Sequence, residues 1–346
     1  MQHRFQRFRT AGPATVRDVE RLHVVSAPPL ADDELARGAQ LAHALVDALA
    51  TSVRAPREAL TSAVACLLAG GHLLVEDVPG VGKTVLAKSL ARASGCAFSR
   101  LQCTADLLPS DVTGVHVYDQ RTQTFDFRPG PVFANFLLAD EINRASPKTQ
   151  SALLESMEEA QVTIDGHTRP LPQPFMVVAT MNPIEYEGTF PLPEAQLDRF
   201  ALRLSIGYPA PDLEARMIIE LAGHDPVDDV AVVADDARIR AAVAAAGRVH
   251  VDPVIAAYIV DLVAATRRDQ RLVLGASPRA ALTLLRVAKA VALIEGRGYV
   301  VPEHVKSVAG AVLAHRLVMG PEARVAGVAG DAIVAEALGA VPAPAL

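Results

Sequence analysis

The chain has 346 residues, a length that suits about two domains, and 51% hydrophobic, 21% charged and 4% aromatic residues, the profile of a globular protein with an Ala/Val/Leu-rich core. A net charge of −6 argues against a large nucleic-acid surface. No apolar run is long enough to span a bilayer, and the basic opening MQHRFQRFRT lacks the apolar core of a secretory signal. The histidines show no HExxH or close paired spacing, so metal-enzyme chemistry is not expected. Cys66, Cys96 and Cys103 show no metal or redox spacing and read as buried, reduced thiols of a cytoplasmic protein.

Residues 1–31 read as a flexible basic tail. Apolar residues at helical spacing (Leu41, Leu45, Leu49, then Leu60, Val64, Leu67) predict helix over 32–69. Leu73-Leu74-Val75 is a short buried strand that runs into a turn, and a helical pattern follows over 84–94. Between them stands Asp77-Val78-Pro79-Gly80-Val81-Gly82-Lys83-Thr84-Val85. Strand, glycine loop, Gly-Lys-Thr and helix is the layout of a phosphate-binding loop. Gly80 and Gly82 let the backbone curl so that its N–H groups point at phosphate oxygens. The new helix adds its free N–H groups, Lys83 reaches the terminal phosphates, and the Thr84 hydroxyl can ligate Mg2+. The strict pattern has glycine where this chain has Asp77; aspartate is expected to serve there because it tolerates left-handed backbone.

Further along, 97–103 reads as a strand, Asp106–Asp111 as a very short helix, and Val115–Phe127 as a hairpin. A buried strand over Phe136–Glu141 precedes a helix from Pro147 to Ala160 and a second hairpin over 161–171, turning at Asp165-Gly166. Phe175–Thr180 is the fourth core strand, 193–199 a short helix, and Ala201–Ile206 the fifth strand. Alternating strands and helices predict a mainly parallel five-stranded sheet covered on both faces. At 207–210 the pattern changes. Successive amphipathic helices are expected to about residue 317, then a strand and a helix over Asp331–Leu338.

Asp140-Glu141 closes an apolar strand, and the carboxyl end of a parallel strand opens onto the ligand crevice. The first acid can hold Mg2+ and the second can polarise a water that attacks a γ-phosphate. Two acids after a strand more commonly cap the next helix; downstream of a phosphate-binding loop the catalytic reading is the stronger one. Glu185, Tyr186 and Glu187 could pass for an acid–base cluster but read as loop residues.

The surrounding runs decide the family. VPGVGKT (78–84), LLPSDVTG (107–114), FRPGPVFANFLLADE (127–141), ADEINRASPKTQSALLESMEE (139–159), ATMNP (179–183), PLPEAQLDRF (191–200) and GASPRA (275–280) occur in this order. With them the chain resembles the MoxR group of AAA+ ATPases over roughly residues 40–340. The resemblance implies an α/β P-loop domain over 32–207 and a helical lid domain over 208–346, binding ATP with Mg2+. It implies that Asn182 is sensor 1, orienting the attacking water, with a turn residue before Pro183 as the alternative. Arg199 matches the arginine finger that reaches a neighbouring subunit's γ-phosphate; the alternative is a surface ion pair with Asp198 or Glu194. Arg279 matches sensor 2 at the start of a lid helix, against a plain first-turn arginine. Arg144 either senses a neighbour or makes a local salt bridge.

The two hairpins fit the family's helix-2 insert (112–128) and pre-sensor-1 hairpin (160–173). Their charges are mixed (His116, Asp119, Arg121, Asp126, Arg128), without the basic, aromatic-interleaved surface that single-stranded nucleic acid prefers. The resemblance further implies a self-assembled ring, expected as a hexamer, chaperone-like remodelling of client complexes, and a partner with a von Willebrand factor A domain. The client is not named by any residue. Two rival readings stay open at this point: a nucleic-acid motor or chelatase-type subunit, and a nucleotide-gated scaffold with negligible turnover.

Overall fold

The computed structural model describes residues 29–183, 188–208, 211, 214 and 224–345. Nearly all of the basic tail, the Glu185–Glu187 run and part of the expected boundary at 207–210 lie outside the described residues. The first helical stretch is two helices, α1 (Asp32–Ser52) and α2 (Arg57–Leu68). Pro56 sits at the N-cap of α2; it has no N–H to continue a ladder and pushes its predecessor out of the helical region. Three acids, Asp32, Asp33 and Glu34, fill the first turn of α1, where the helix dipole favours them.

Five strands form one sheet: β1 (Leu73–Glu76), β2 (Phe98–Gln102), β5 (Phe136–Asp140), β8 (Met176–Met181) and β9 (Leu202–Leu204). Their order is β2-β5-β8-β1-β9. Every neighbouring pair is parallel, with Leu73 opposite both Val178 and Leu202, and Ala139 opposite Ala179. Period-2 alternation sorts the strand side chains onto two faces. Leu73, Val75, Phe136, Leu138 and Val178 enter one core, and Leu74, Leu137, Ala139, Val177 and Ala179 the other. Burial on both faces explains why these strands read as continuous apolar runs. The carboxyl ends of β1, β5 and β8 lie side by side, at the position where open parallel sheets bind ligands.

Between the strands lie α3 (Lys83–Ala93), the short α4 (Pro109–Thr113), the hairpin β3 (Gly114–Asp119) and β4 (Thr124–Pro129), α5 (Pro147–Glu159), the hairpin β6 (Gln161–Ile164) and β7 (His167–Pro170), and α6 (Glu194–Leu197). The helical part comprises α7 (Asp236–Arg248), α8 (Pro253–Arg268), α9 (Pro278–Ile294), α10 (Pro302–Leu313), α11 (Pro321–Val325) and α12 (Gly330–Ala340). Ser146, Asp235, Asp252 and Ser277 cap α5, α7, α8 and α9 by accepting a backbone N–H, and proline opens α5, α8 and α9. This part is not purely helical up to residue 317. β10 (Leu272–Leu274) pairs antiparallel with β11 (Val318–Met319). Three residues are too few for alternation to show in a sequence.

The larger core crosses the boundary expected at 207–210. It joins α1 and α2 (Leu41, Leu45, Leu49, Leu60, Leu67) to one sheet face and to α7, α9 and α10 (Ile239, Leu284, Val287, Leu293, Val312). The two parts therefore share apolar packing. Among the described residues, no helix is long and apolar enough to cross a membrane. All three cysteines are free: Cys66 and Cys103 are buried, which pushes each thiol up to about 12, while Cys96 is only half-buried.

Candidate functional site

β1 ends at Glu76, and the chain turns through 77–82 into α3. Gly80 and Gly82 adopt φ of 86° and 92°, in the left-handed region where a side chain is strained. A Cβ at either glycine would meet no atom within 4 Å, so conformation, not crowding, selects glycine there. The loop borders a cavity of about 340 Å3 lined by Pro79, Gly80, Gly82, Lys83, Thr84 and Val85, and across from them by Asp140, Glu141, Thr180 and Asn182. Val78 and Val81 belong to the loop without lining the cavity; Val81 packs against the larger core. The Lys83 amine donates to the carbonyls of Asp77 at 2.6 Å and Met181 at 3.1 Å, bridging the ends of β1 and β8.

Asp77 does a different job from the one its position in the motif predicts. It is not among the described residues with positive φ, so left-handed tolerance is not why it stands there. Its buried carboxylate is an anchor. Oδ2 accepts from the backbone N–H of Ile206 at 2.6 Å and of Gly207 at 2.7 Å, and from the Ser205 hydroxyl at 3.0 Å; Oδ1 accepts from Val78 N–H at 2.9 Å. Burial alone would raise this carboxyl. The Gly207, Val78, Ser205 and Ile206 donors outweigh it and hold the group below its ordinary value.

Opposite the loop, Asp140 and Glu141 are fixed by Thr180, which sequence reasoning did not single out. The Thr180 hydroxyl donates to Asp140 Oδ1 at 2.7 Å and accepts from Glu141 N–H at 2.8 Å. Arg100 donates to Asp140 Oδ2 at 2.6 Å. Glu141 has φ 56° and ψ 54°, a strained conformation for a residue with a side chain, and Thr180 is positioned to stabilise it. Glu141 Oε2 accepts from Gln102 at 3.2 Å and from Arg144 at 3.0 Å. Arg144 is thus in the local salt bridge, with both side chains partly exposed.

Arg199 and Arg279 do not line this cavity. They stand together on a second and larger one, of about 800 Å3, between the end of α5, the turn at 69–72 and helices α7 and α9. Arg199 Nε lies 3.1 Å from Glu158 Oε2, and Arg279 Nη2 contacts Glu158 Oε1. The ion pair with Asp198 or Glu194, weighed as the alternative for Arg199, is not the one formed: its partner is Glu158, reached across the fold from the last turn of α5. Asp198 is occupied otherwise: it accepts from Arg316 Nε at 2.8 Å and from the Ser277 hydroxyl at 3.0 Å. Buried Arg316 also donates to the carbonyls of Phe200 at 2.6 Å and Asp198 at 3.2 Å. The turn that displays Arg199 is clamped by the helical part.

Comparison with known proteins places this geometry. Residues 72–202 match the family model of the ATPase family associated with various cellular activities (AAA), and residues 264–337 match the AAA lid domain. The chain is 47% identical to "Uncharacterized protein YeaC" of Bacillus subtilis over 83% of its own length and 90% of that protein. It is 46% identical to "Chaperone MoxR1" of Mycobacterium tuberculosis over 73% of its length and 69% of that protein. The chain belongs to the MoxR family of AAA+ ATPases. A crystal structure of a protein from Cytophaga hutchinsonii assigned to the ATPases is also similar to it, with a TM-score of 0.83 and 36% identity, covering 90% of this chain and 98% of that one.

In this MoxR-family chain, then, the motif residues fall into two groups. Lys83, Thr84, Asp140, Glu141 and Asn182 converge on one cavity, and Arg199 and Arg279 on another. Thr180 follows the apolar run of β8 and was legible only as a strand residue. Arg100 carries no motif signal, and Glu158 lies in the 139–159 run without any sign of its partners, which are more than 40 residues away.

Proposed function

We propose that this chain binds ATP with Mg2+ at the 77–85 loop and hydrolyses it within a ring of its own copies, driving chaperone-like remodelling of client protein complexes. The observation that carries the reading is the convergence of the glycine loop and Lys83 with Asp140, Glu141 and Asn182 around one cavity. The donor set fits both ligands. Loop N–H groups and the Lys83 amine suit phosphate oxygens. Thr84 and Asp140 supply the hard oxygen ligands that Mg2+ takes. When bound, Mg2+ would neutralise charge developing on the phosphates.

Asp140 is held in place by Thr180 and Arg100, and Glu141 is presented to accept a proton from an attacking water that Asn182 helps orient. Loop residues Asp77, Val78 and Val81 shape and anchor the cradle, and their backbone belongs to the loop proposed to hold the phosphates. Arg199 and Arg279 would act on the nucleotide of a neighbouring copy, since both line a cavity other than the one beside their own loop. The printed name of the Mycobacterium relative supports the chaperone-like role. A hexameric ring, a cytoplasmic location and a von Willebrand factor A partner belong to the same proposal and rest on the family.

The test separates binding from turnover. Lys83→Ala is expected to weaken ATP binding severely, whereas Glu141→Gln keeps binding, loses turnover and traps ATP in stabilised rings. Calorimetric binding and phosphate release are measured for both. Wild-type affinity and rate in both variants would show that the assigned site is wrong.

A further inference from the structure

The second cavity carries more positive charge than its carboxylates neutralise. Arg199, Arg279, Arg286 and Lys289 line it, against Glu158 and Asp198. Asp198 is spent on Arg316 and Ser277. Glu158 alone faces both Arg199 and Arg279. Arg286 and Lys289 have no carboxylate partner among the described residues: Arg286 donates to the Thr283 hydroxyl at 3.3 Å and Lys289 to the Gly247 carbonyl at 2.8 Å. Arg286 is exposed on the wall of this cavity, where partial desolvation and the Arg279 charge hold its guanidinium below the ordinary value. A cavity lined by four cations with one carboxylate left to face them favours an anion.

The loop cavity has no such surplus. Lys83 is the one cation of its lining, while Asp140 and Glu141 are paired with Arg100 and Arg144 outside it. A triphosphate seated on it would be under-neutralised by its own chain. The surplus of cations in one cavity matches the phosphate charge that the other would leave unmet.

We propose that the basic cavity is an anion site for the terminal phosphate of ATP held by an adjacent copy of this chain, with Arg286 as a third arginine of that site and Glu158 as an internal stand-in that occupies Arg199 and Arg279 until the phosphate replaces it. This rests on the reading of Arg199 as acting on a neighbour and adds two residues to which the sequence assigned no role. The exchange is one of ion pairs: the Glu158 carboxylate leaves the two guanidinium groups and the phosphate oxygens take its place. Because Glu158 competes for the same donors, it sets the threshold for productive assembly. Its last-turn position at the end of α5, one residue from the helix end, lets it swing away without unwinding the helix.

The experiment measures ATP turnover against protein concentration for the full chain and for Glu158→Gln, Arg286→Ala and Arg286→Lys, with ATP affinity and thermal unfolding recorded for each. Glu158→Gln is expected to lower the concentration of half-maximal activity several-fold. Arg286→Ala is expected to lower turnover at least ten-fold with affinity at its own loop and unfolding temperature unchanged, and Arg286→Lys to recover part of it. An unchanged threshold or a fall in turnover for Glu158→Gln, or wild-type turnover for Arg286→Ala, overturns the proposal. If Arg199→Ala also keeps full turnover, the reading beneath it fails as well; if Arg199→Ala is inactive while the other variants are normal, only the present inference fails. Titration of inorganic phosphate into the Lys83→Ala chain distinguishes the anion's source. Tight phosphate binding that Arg286→Ala removes would mark a site for a free anion and overturn the assignment to a neighbour's nucleotide.

Discussion

The loop cavity draws its lining from 79–85, 140–141, 180 and 182, that is, from the carboxyl ends of adjacent strands. The basic cavity draws on α2, α5, the turn before β9, α7 and α9, spanning residues from Leu68 to Lys289. The first is built largely from backbone: glycines in left-handed conformation, a helix N-terminus, and a threonine that fixes two acids. The second is built from long charged side chains held by one another and by buried Arg316. A backbone site keeps its shape as long as the sheet stands. A side-chain site depends on how the helical part sits against the sheet. On the proposed reading, the chemistry that needs fixed geometry falls to the former and the contacts with a neighbour to the latter.

The sharpest way to break this division is at Arg199. Arg199→Ala is expected to keep fold and ATP affinity while losing about 10³–10⁵ in turnover, the scale on which such arginines act. Mixed with Lys83→Ala chains, which have a dead loop but an intact arginine, it should regain activity above either variant alone. Mass measurement must confirm mixed oligomers; co-assembly without regained activity would return Arg199 to a structural ion pair with Glu158.

A smaller effect is expected from the clamp. Arg316 is 2% exposed and pairs with Asp198. Arg316→Met leaves that carboxylate without its cation and should cost about 3–5 kcal/mol in urea unfolding, as broken buried pairs do. Below the unfolding transition, turnover should fall with ATP binding retained, because the turn bearing Arg199 loosens while the loop does not. Loss of ATP binding in the folded variant would show that the two cavities are not separable.

The smallest effect concerns pH. His72 is buried, accepting from Val177 N–H at Nδ1 and therefore donating from Nε2 to the Met157 carbonyl, beside Glu158. Burial lowers its pKa from 6.5 to about 4. The unfolded chain binds this proton where the folded chain does not, so stability falls as pH drops from about 6.5 toward about 4, by about 1.4 kcal/mol at about pH 5.5. Buried His315, also held well below its ordinary value, acts in the same direction. His72→Gln can keep both hydrogen bonds without titrating and should flatten the acid limb measured by denaturation. An unchanged slope would remove His72 from the account.

The same contrast explains what could be read from the sequence. The five strands, both hairpins and the loop cavity were legible because each rests on local signals: apolar runs, Asp165-Gly166 at a turn, glycines before Lys83. The break at Pro56 and the ladder of β10 with β11 were not, the one because apolar spacing continues across it and the other because its pairing spans more than 40 residues. Arg199 and Arg279 were found by motif, but their shared partner Glu158 was not, since nothing in a helix ending SMEE tells which glutamate faces two arginines from other elements. Asp77 was read for its backbone tolerance, when its carboxylate carried the meaning.

That carboxylate makes the nucleotide loop and the exit of β9 one mechanical piece. Asp77 grips 205–207 with its side chain, while its own carbonyl receives the Lys83 amine. Two residues earlier in β9, Arg203 reaches Glu76 at 3.1 Å and Asp331 of α12 at 2.6 Å. The lysine is thus tied, through Glu76 at the end of β1 and Asp77 just after it, to α12 near the far end of the chain. The commoner glycine would give the loop more freedom and take away the side chain that ties it to 205–207.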